Sequence, residues 1–491
     1  MKTLALSLVL LGSLVIRYVR WLALVQQKEY RLDRIWLFLQ SPEGRNELLR
    51  VVPKRSDFKW STLKRPRLTA RMLTVFAVSA LVIFLYGCAV VWFGLSLVAV
   101  WQQLAFFLLS LLVFLCISPL FVMLGVIPSA VIAEIVVHNI ARQAQKLLEK
   151  HKPVVIGITG SFGKTSTKQL LGYVLGGDAV AFITPESHNT LLSVCKSIVA
   201  GYHGQKYVVL EYGAYAPGEI ATLARYCPPT MAVITGFAPQ HLGLFGSEAA
   251  IIEAKSELVS ALKPNSSAFY NAVYPQTKKI IEFGSREKKL TITAVDPDKL
   301  FSAIEVDGDG YLHCKSIDNT IATKLLGKQY AEICALVMAV AAELGIESSS
   351  VAKRLSSFLP THKFITSRIT KAGIRIIDDG GTSNPQGFES ALQLIAQLTN
   401  TPKILITPGI VDLGTQSNPI HQELGSLASD TVDVVLFVGE TGKVAFEKGL
   451  GREVISTQEN IKKMMSELPI DSLVLVEGRM PGWIGDILKE L

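Results

Sequence analysis

The chain has 491 residues, 49% of them hydrophobic and only 18% charged, with a mean hydropathy of +0.36, which excludes both a disordered chain and an ordinary soluble one. Its net charge of +8 is uneven: residues 1–150 hold 18 Lys/Arg against 7 Asp/Glu, while residues 151–491 hold 31 against 34. The basic excess lies in the apolar front part, so it gives no support to nucleic-acid binding.

An apolar run near residues 3–24 ends at Arg17 and Arg20. Lys2 alone is a thin basic n-region and no small-x-small cleavage site precedes the arginine pair, so the run is expected to cross a membrane rather than to be removed. Residues 27–71 carry 12 Lys/Arg against 5 acids; the positive-inside rule puts them in the cytoplasm, against anionic lipid. Residues 72–133 contain no Asp, Glu, Lys, Arg or His. That length accommodates two crossings, near 72–94 and 97–124, followed by an amphipathic stretch at about 130–150. Three crossings make a multi-pass protein of the cytoplasmic membrane, with everything after residue 125 on the cytoplasmic side. The six cysteines show no CxxC and no paired spacing; they read as small hydrophobes in a reducing compartment.

From Val154 the pattern changes to short β-branched runs separated by helical stretches: VVIGIT (154–159), AFIT (181–184), YVVLEY (207–212) and MAVIT (231–235). These read as buried parallel strands of an α/β sheet. The first runs into GITGSFGKTSTK, residues 157–168. Glycines at 160 and 163 let backbone N–H groups face phosphate oxygens, a following helix adds its positive end, Lys164 reaches the β/γ-phosphates and Thr165 is placed to ligate Mg²⁺.

The loop resembles the ATP loop of the Mur ligase family, the ATP-dependent amide-forming enzymes of peptidoglycan precursor synthesis and their relatives. Five further strings are similar to that family in order: TPESHNT (184–190), LEYGAYAPGEI (210–220), AVITGFAPQHLGLFGSEAAIIEAKSEL (232–258), RIIDDGGTSNPQGFESAL (375–392) and PGIVDLGTQSNPIHQELG (408–425). Their flavour is nearest the branch that adds D-alanyl-D-alanine. The resemblance implies three parts: a membrane domain at 1–150 in place of the usual UDP-binding domain, a central ATP-binding domain at 151–365, and a Rossmann-like C-terminal domain at 366–491 that closes on ATP. It implies that Gly160, Ser161, Gly163, Lys164, Thr165, Ser166, Gln329, Arg368 and Asp379 hold ATP, with Arg368 at the γ-phosphate and Asp379 on the ribose. Thr165, Glu211 and His241 would serve Mg²⁺, and Lys255 would be carbamylated; its other reading is an exposed helix lysine paired with Glu253 or Glu257. Ser187, Asn189, Thr190 and Asn384 would meet substrate.

The implied reaction phosphorylates a carboxylate and passes the acyl group to an amino acid or dipeptide such as D-alanyl-D-alanine. The acceptor is a small-molecule or lipid-linked carboxylate, brought by the membrane or by a partner protein, with no nucleic acid involved. Two departures stand out. The family's adenine block becomes Gln329, Tyr330 and Ile333, leaving Gln329 to bond the base and Tyr330 to stack on it. The family's Lys-Gly-Ser becomes Glu477, Gly478 and Arg479. Two other readings stay open: a membrane-associated polyglutamate-type synthetase, and a nucleotide-binding scaffold without ligation.

Overall fold

The computed structural model describes residues 2–40, 42–50, 57, 65–238, 245, 247–286, 288–361, 363–381, 383–411, 413 and 416–491. They form two compact units, Met1–Asn139 and Ile140–Leu491.

The first unit is helical: Lys2–Gln27, Leu32–Gln40, Pro42–Leu49, Ala70–Leu95 and the greater part of Val100–His151. Thr69 caps Ala70–Leu95 by accepting from the Met72 N–H. The amphipathic stretch expected at 130–150 is the last part of one long helix that runs on to His151 through Pro119 and Pro128, and its Ala141, Ala144 and Leu148 are buried. Ser129 donates its hydroxyl back to Val126 O at 2.7 Å. Ala70–Leu95 and Cys116–His151 are long and apolar enough to cross a membrane, with mean hydropathies of 2.4 and 2.5. The third expected crossing, 3–24, is helical but is not one of these two; it carries Arg17 and Arg20, both buried.

A small core of Trp21, Val25, Ile35, Met72, Val75, Val122 and Val126 joins these helices. Phe84, Trp92, Trp101 and Leu108 face outward. Arg17 donates to Ser118 Oγ and Leu48 O, each at 3.0 Å, and to Arg50 O. It thereby covers the orphan carbonyls at the negative end of Pro42–Leu49. Arg20 pairs with Glu47 and Asp57. Part of the basic 27–71 segment is thus folded back on the helices.

The second unit is α/β. Strands β1 (Val154–Thr159), β2 (Ala181–Ile183), β3 (Tyr207–Glu211), β4 (Met231–Ile234), β5 (Ser267–Asn271) and β6 (Thr291–Val295) form a parallel sheet in the order β2-β3-β1-β4-β5-β6. All four expected runs are strands within it. β1 lies between β3 and β4, so the carboxyl ends Thr159, Glu211 and Ile234 are neighbours at the point where the chain order reverses, the usual ligand crevice of an open α/β sheet. The stretch 266–325 divides between this sheet and a second, antiparallel one of β7 (Ala303–Val306), β8 (Tyr311–Lys315) and β9 (Thr320–Leu326).

A third sheet holds β10 (Thr366–Ile369), β11 (Arg375–Asp379), β12 (Lys403–Thr407), β13 (Val434–Phe437) and β14 (Leu473–Glu477), in the order β10-β11-β14-β12-β13. Only β10 is antiparallel to its neighbour. The β-branched segment EVIST (453–457) makes only one bridge, between Ile455 and Leu436, and its Thr457 caps the next helix by accepting from the Asn460 N–H. Cys195, Cys227, Cys314 and Cys334 are buried as expected, while Cys88 and Cys116 are exposed on the apolar helices.

Candidate active site

The loop after β1 turns at Gly160 and enters the helix Lys164–Val174 at Gly163, whose φ of +77° suits glycine. Gly160 is needed for a different reason: a Cβ there would stand 2.1 Å from Thr235 Oγ1, at the end of β4. Ser161 is buried; its N–H donates to Gly236 O at 2.7 Å and its hydroxyl to Ala238 O at 2.9 Å. The loop is therefore pinned between two strand ends before any ligand arrives.

Two ammonium groups converge on it. Lys164 Nζ donates to Gly160 O at 2.7 Å and Ser161 O at 3.1 Å. Lys255 Nζ, from the helix Glu248–Ser260, donates to the same Gly160 O at 2.9 Å. Burial lowers the pKa of both. For Lys164 the Glu211 carboxylate opposes the shift; for Lys255, held well below its ordinary value, the Lys164 ammonium adds to it. Lys255 is 7% exposed, and Glu257 caps the helix Glu219–Tyr226 by accepting from the Gly218 and Ala221 N–H groups. An exposed lysine paired along its own helix is thereby overturned.

The two lysines stand at a cleft lined also by Asn189, Tyr215, Phe245 and Ile251. Glu211, at the carboxyl end of β3, has no exposed side-chain surface and lies 2.8 Å from the Lys168 ammonium. Neither of its oxygens has a well-directed hydrogen bond. A buried carboxylate in that condition suits a cation. Thr165 is half-buried in the first turn of Lys164–Val174, its Oγ1 3.3 Å from Ser187 Oγ, and Ser166 is half-buried beside it. His241 lies outside the described residues.

The remaining expected site residues divide. Asn189 lines the cleft, and its carbonyl accepts from the Gly213 N–H at 2.9 Å. Thr190 caps the helix Leu191–Gly201, with Ser193 completing the box. Asn384 caps Pro385–Ala396, accepting from the Gly387 N–H at 3.0 Å. Thr190 and Asn384, expected to meet substrate, each stand at a helix start and cap it. Gln329 donates to Leu326 O at 3.1 Å, within its own turn. Tyr330 cannot offer a free face to a base: it is buried against Phe364, and its hydroxyl accepts from the Ile365 N–H at 3.0 Å. Arg368, on the edge strand β10, donates to Leu488 O in the last helix and does not line the cleft.

Asp379 ends β11 directly opposite Glu477 at the end of β14. Burial pushes Asp379 up to about 6 and, with Asp379 beside it, Glu477 well above the carboxylate range. The half-buried Asp379 and the fully buried Glu477 thus stand side by side at the ends of neighbouring strands. Ser383 Oγ donates to Glu477 Oε1 at 2.7 Å. Glu477 is 1% exposed, so its replacement of a family lysine alters the interior of the sheet. Asp378 turns to the other face and accepts from the Gly380 N–H, as strand alternation requires.

Sequence reasoning passed over Lys168, Arg375 and His421. Lys168 had a signal, since it lies four residues after Lys164 on one helix and so on the same face. Arg375 is buried; it donates to Asp309 O at 2.6 Å and Ser367 Oγ at 3.1 Å, fastening the C-terminal sheet to the β7–β8 turn region. His421 is buried, accepts from the Ile410 N–H through Nε2 at 3.0 Å and meets Ser417 O through Nδ1 at 2.7 Å. Accepting through Nε2 requires a neutral ring, and burial lowers its pKa in the same sense; the ring holds the chain at Ile410.

Comparison with known proteins agrees with this architecture. Residues 158–342 match the family description "Mur ligase middle domain". The UDP-N-acetylmuramoyl-tripeptide–D-alanyl-D-alanine ligase of Bacillus subtilis is 30% identical over 310 residues, covering 62% of this chain and 67% of that one. The enzyme of the same name from Mycobacterium tuberculosis is 28% identical over 286 residues, 56% of each chain. This chain therefore spans between about half and two thirds of these relatives' lengths. Among solved structures, MurF from Acinetobacter baumannii has a TM-score of 0.63 at 23% identity, covering 72% of this chain and 80% of that one. MurF ligase from Thermotoga maritima in complex with ADP has a TM-score of 0.61 at 24% identity, covering 72% and 82%. The order of the motifs, the sheet that carries them and the extent of these matches make this chain a member of the Mur ligase family.

Proposed function

We propose that this chain is a membrane-tethered, ATP-dependent ligase that joins D-alanyl-D-alanine to the peptide carboxylate of a peptidoglycan precursor. The observation that carries the reading is the convergence of Lys164 and Lys255 on Gly160 O, beside a buried, poorly bonded Glu211. Two cations crowded onto one carbonyl at a helix N-terminus suit a polyphosphate and an acceptor carboxylate brought together. The relatives named above support the choice of substrates.

In this reading residues 1–150, 151–365 and 366–491 serve as membrane domain, ATP-binding domain and closing domain. The two apolar helices cross the cytoplasmic membrane and leave the ligase on the cytoplasmic side. Backbone N–H groups of 160–165 hold the phosphates of ATP, and Lys164 leaves its own loop carbonyls to meet the transferred phosphoryl group. The acceptor carboxylate, lying in the cleft by Asn189, attacks that phosphorus and releases ADP; the amine then attacks the acyl carbon and releases phosphate. Thr165 and Glu211 would hold Mg²⁺, which when bound neutralises charge between the polyphosphate and the carboxylate. Lys255, whose pKa is lowered by burial, is the side chain that gives up its proton and adds CO₂ to form a carbamate, with release of a second proton, turning a cation beside Lys164 into its counter-ion.

Arg368 and Asp379 reach ATP only after 366–491 closes, since neither lines the cleft in the present arrangement. The acceptor carboxylate can be carried by a UDP-sugar or by a membrane lipid. Phosphate release by the detergent-purified protein with Mg-ATP tests the proposal. Release should require D-alanyl-D-alanine together with either UDP-muramyl tripeptide or its lipid-linked form; release indifferent to both additions refutes it, and repeated glutamate addition favours the polyglutamate-type reading.

A further inference from the structure

Lys168 stands one turn beyond Lys164, wholly buried, with three partners: Glu211 Oε1 at 2.8 Å, Thr184 Oγ1 at 3.3 Å and Glu186 O. The last two belong to residues 184–190, the connection from β2 to the helix Leu191–Gly201. That connection is drawn around the ammonium. Glu186 holds a φ of +43°, a backbone conformation that a residue with a side chain keeps only where its surroundings fix it. The residues that follow reach the site: Ser187 lies 3.3 Å from Thr165 Oγ1, and Asn189 lines the cleft. One ammonium therefore touches both the carboxylate suited to a cation and the backbone that shapes the acceptor end of the cleft.

We propose that Lys168 is a positioning residue that couples cation binding at Glu211 to the conformation of residues 184–190. Glu211 is fully buried, so its charge needs a cation at all times, and Lys168 supplies it before a divalent ion arrives. A divalent ion on the same carboxylate takes over that task and repels the ammonium toward its two neutral acceptors, the Thr184 hydroxyl and the Glu186 carbonyl. The bond to Thr184 shortens, and the two together hold Ser187 and Asn189 in place. By thermodynamic reciprocity, an acceptor that fixes 184–190 strengthens cation binding. The inference rests on the reading of Glu211 as a cation ligand given under "Proposed function".

The test uses the full-length protein in detergent and needs no turnover. Amide hydrogen exchange over 184–190 is compared with ADP plus EDTA and with ADP plus Mg²⁺, and Mn²⁺ binding in the presence of ADP is followed by electron paramagnetic resonance. The wild type should exchange at least fivefold more slowly with Mg²⁺. Lys168→Met should lose that slowing to within twofold while binding Mn²⁺ several-fold more tightly, and Lys168→Arg should keep it. Thr184→Val leaves the Lys168–Glu211 pair intact and should also lose the slowing, which preserves the test if Lys168→Met does not fold. In assays of turnover, both should raise the acceptor KM about tenfold with the ATP KM within twofold. Slowing of equal size in wild type, Lys168→Met and Thr184→Val overturns the coupling. A wild type that binds neither ADP nor Mn²⁺ overturns the functional reading beneath it.

Discussion

Lys164 and Lys255 make the strongest argument at the scale of single residues, because both spend their ammonium groups on one carbonyl, Gly160 O. Lys164 contributes almost nothing to the core, so Lys164→Ala should lower phosphate release roughly 100-fold or more by removing transition-state charge stabilisation, with an unchanged circular dichroism spectrum and melting temperature. The acid pair Asp379–Glu477 predicts a pH dependence. Both pKa values are raised on folding, so the stabilisation is complete below the unfolded carboxylate pKa and is lost as pH rises through about 6. Glu477→Gln keeps an acceptor for Ser383 and removes one acid, so thermal scans should show it melting roughly 2–4 °C above wild type at pH 8, with the difference shrinking at pH 5. What the sequence could not reveal at this scale was competition for a side chain by nearby backbone. Asn384 and Thr190 matched a substrate pattern, yet each is the residue type that caps a helix, and each stands at a helix start. Tyr330 matched an adenine position, but the Ile365 N–H that claims its hydroxyl lies 35 residues away.

Elements were legible where hydrophobic pattern and length agreed. The four runs from Val154 to Thr235 are strands of one parallel sheet, because continuous β-branched stretches bounded by turns bury both faces. The segment 453–457 makes only one bridge, and its final Thr caps the next helix. The residues of the helix Val100–His151 read as a crossing followed by an amphipathic stretch because the charge-free run ends at residue 133, yet one helix continues through both. Between elements, Gly213 is a sensitive contact: a Cβ there would stand 2.6 Å from Asn189 Cγ. Gly213→Ala should push Asn189 out of position and raise the acceptor KM roughly tenfold, about 1.4 kcal/mol of lost binding, with the ATP KM nearly constant in steady-state assays.

At the scale of the molecule the chain combines a helical unit with an α/β unit that has its own continuous cores. A chain beginning at Ile140 should therefore be soluble and monodisperse by size exclusion, and should bind ADP as the full protein does, because the phosphate loop and both lysines lie after that residue. Aggregation of that piece would show that the apolar helices complete its core. The composition pointed to this division, since the charge-free run 72–133 and the β-branched runs after Val154 obey different rules. The order of the six motif strings then indicated the family, which no single phosphate loop would have done. The central claim is transfer of phosphate through the acceptor's own carboxylate, and isotope transfer tests it most directly. An acceptor labelled with ¹⁸O in that carboxylate, turned over with Mg-ATP and D-alanyl-D-alanine, should place one labelled oxygen in each phosphate released; phosphate free of label would contradict an acyl phosphate and with it the assignment of ligase chemistry to this site.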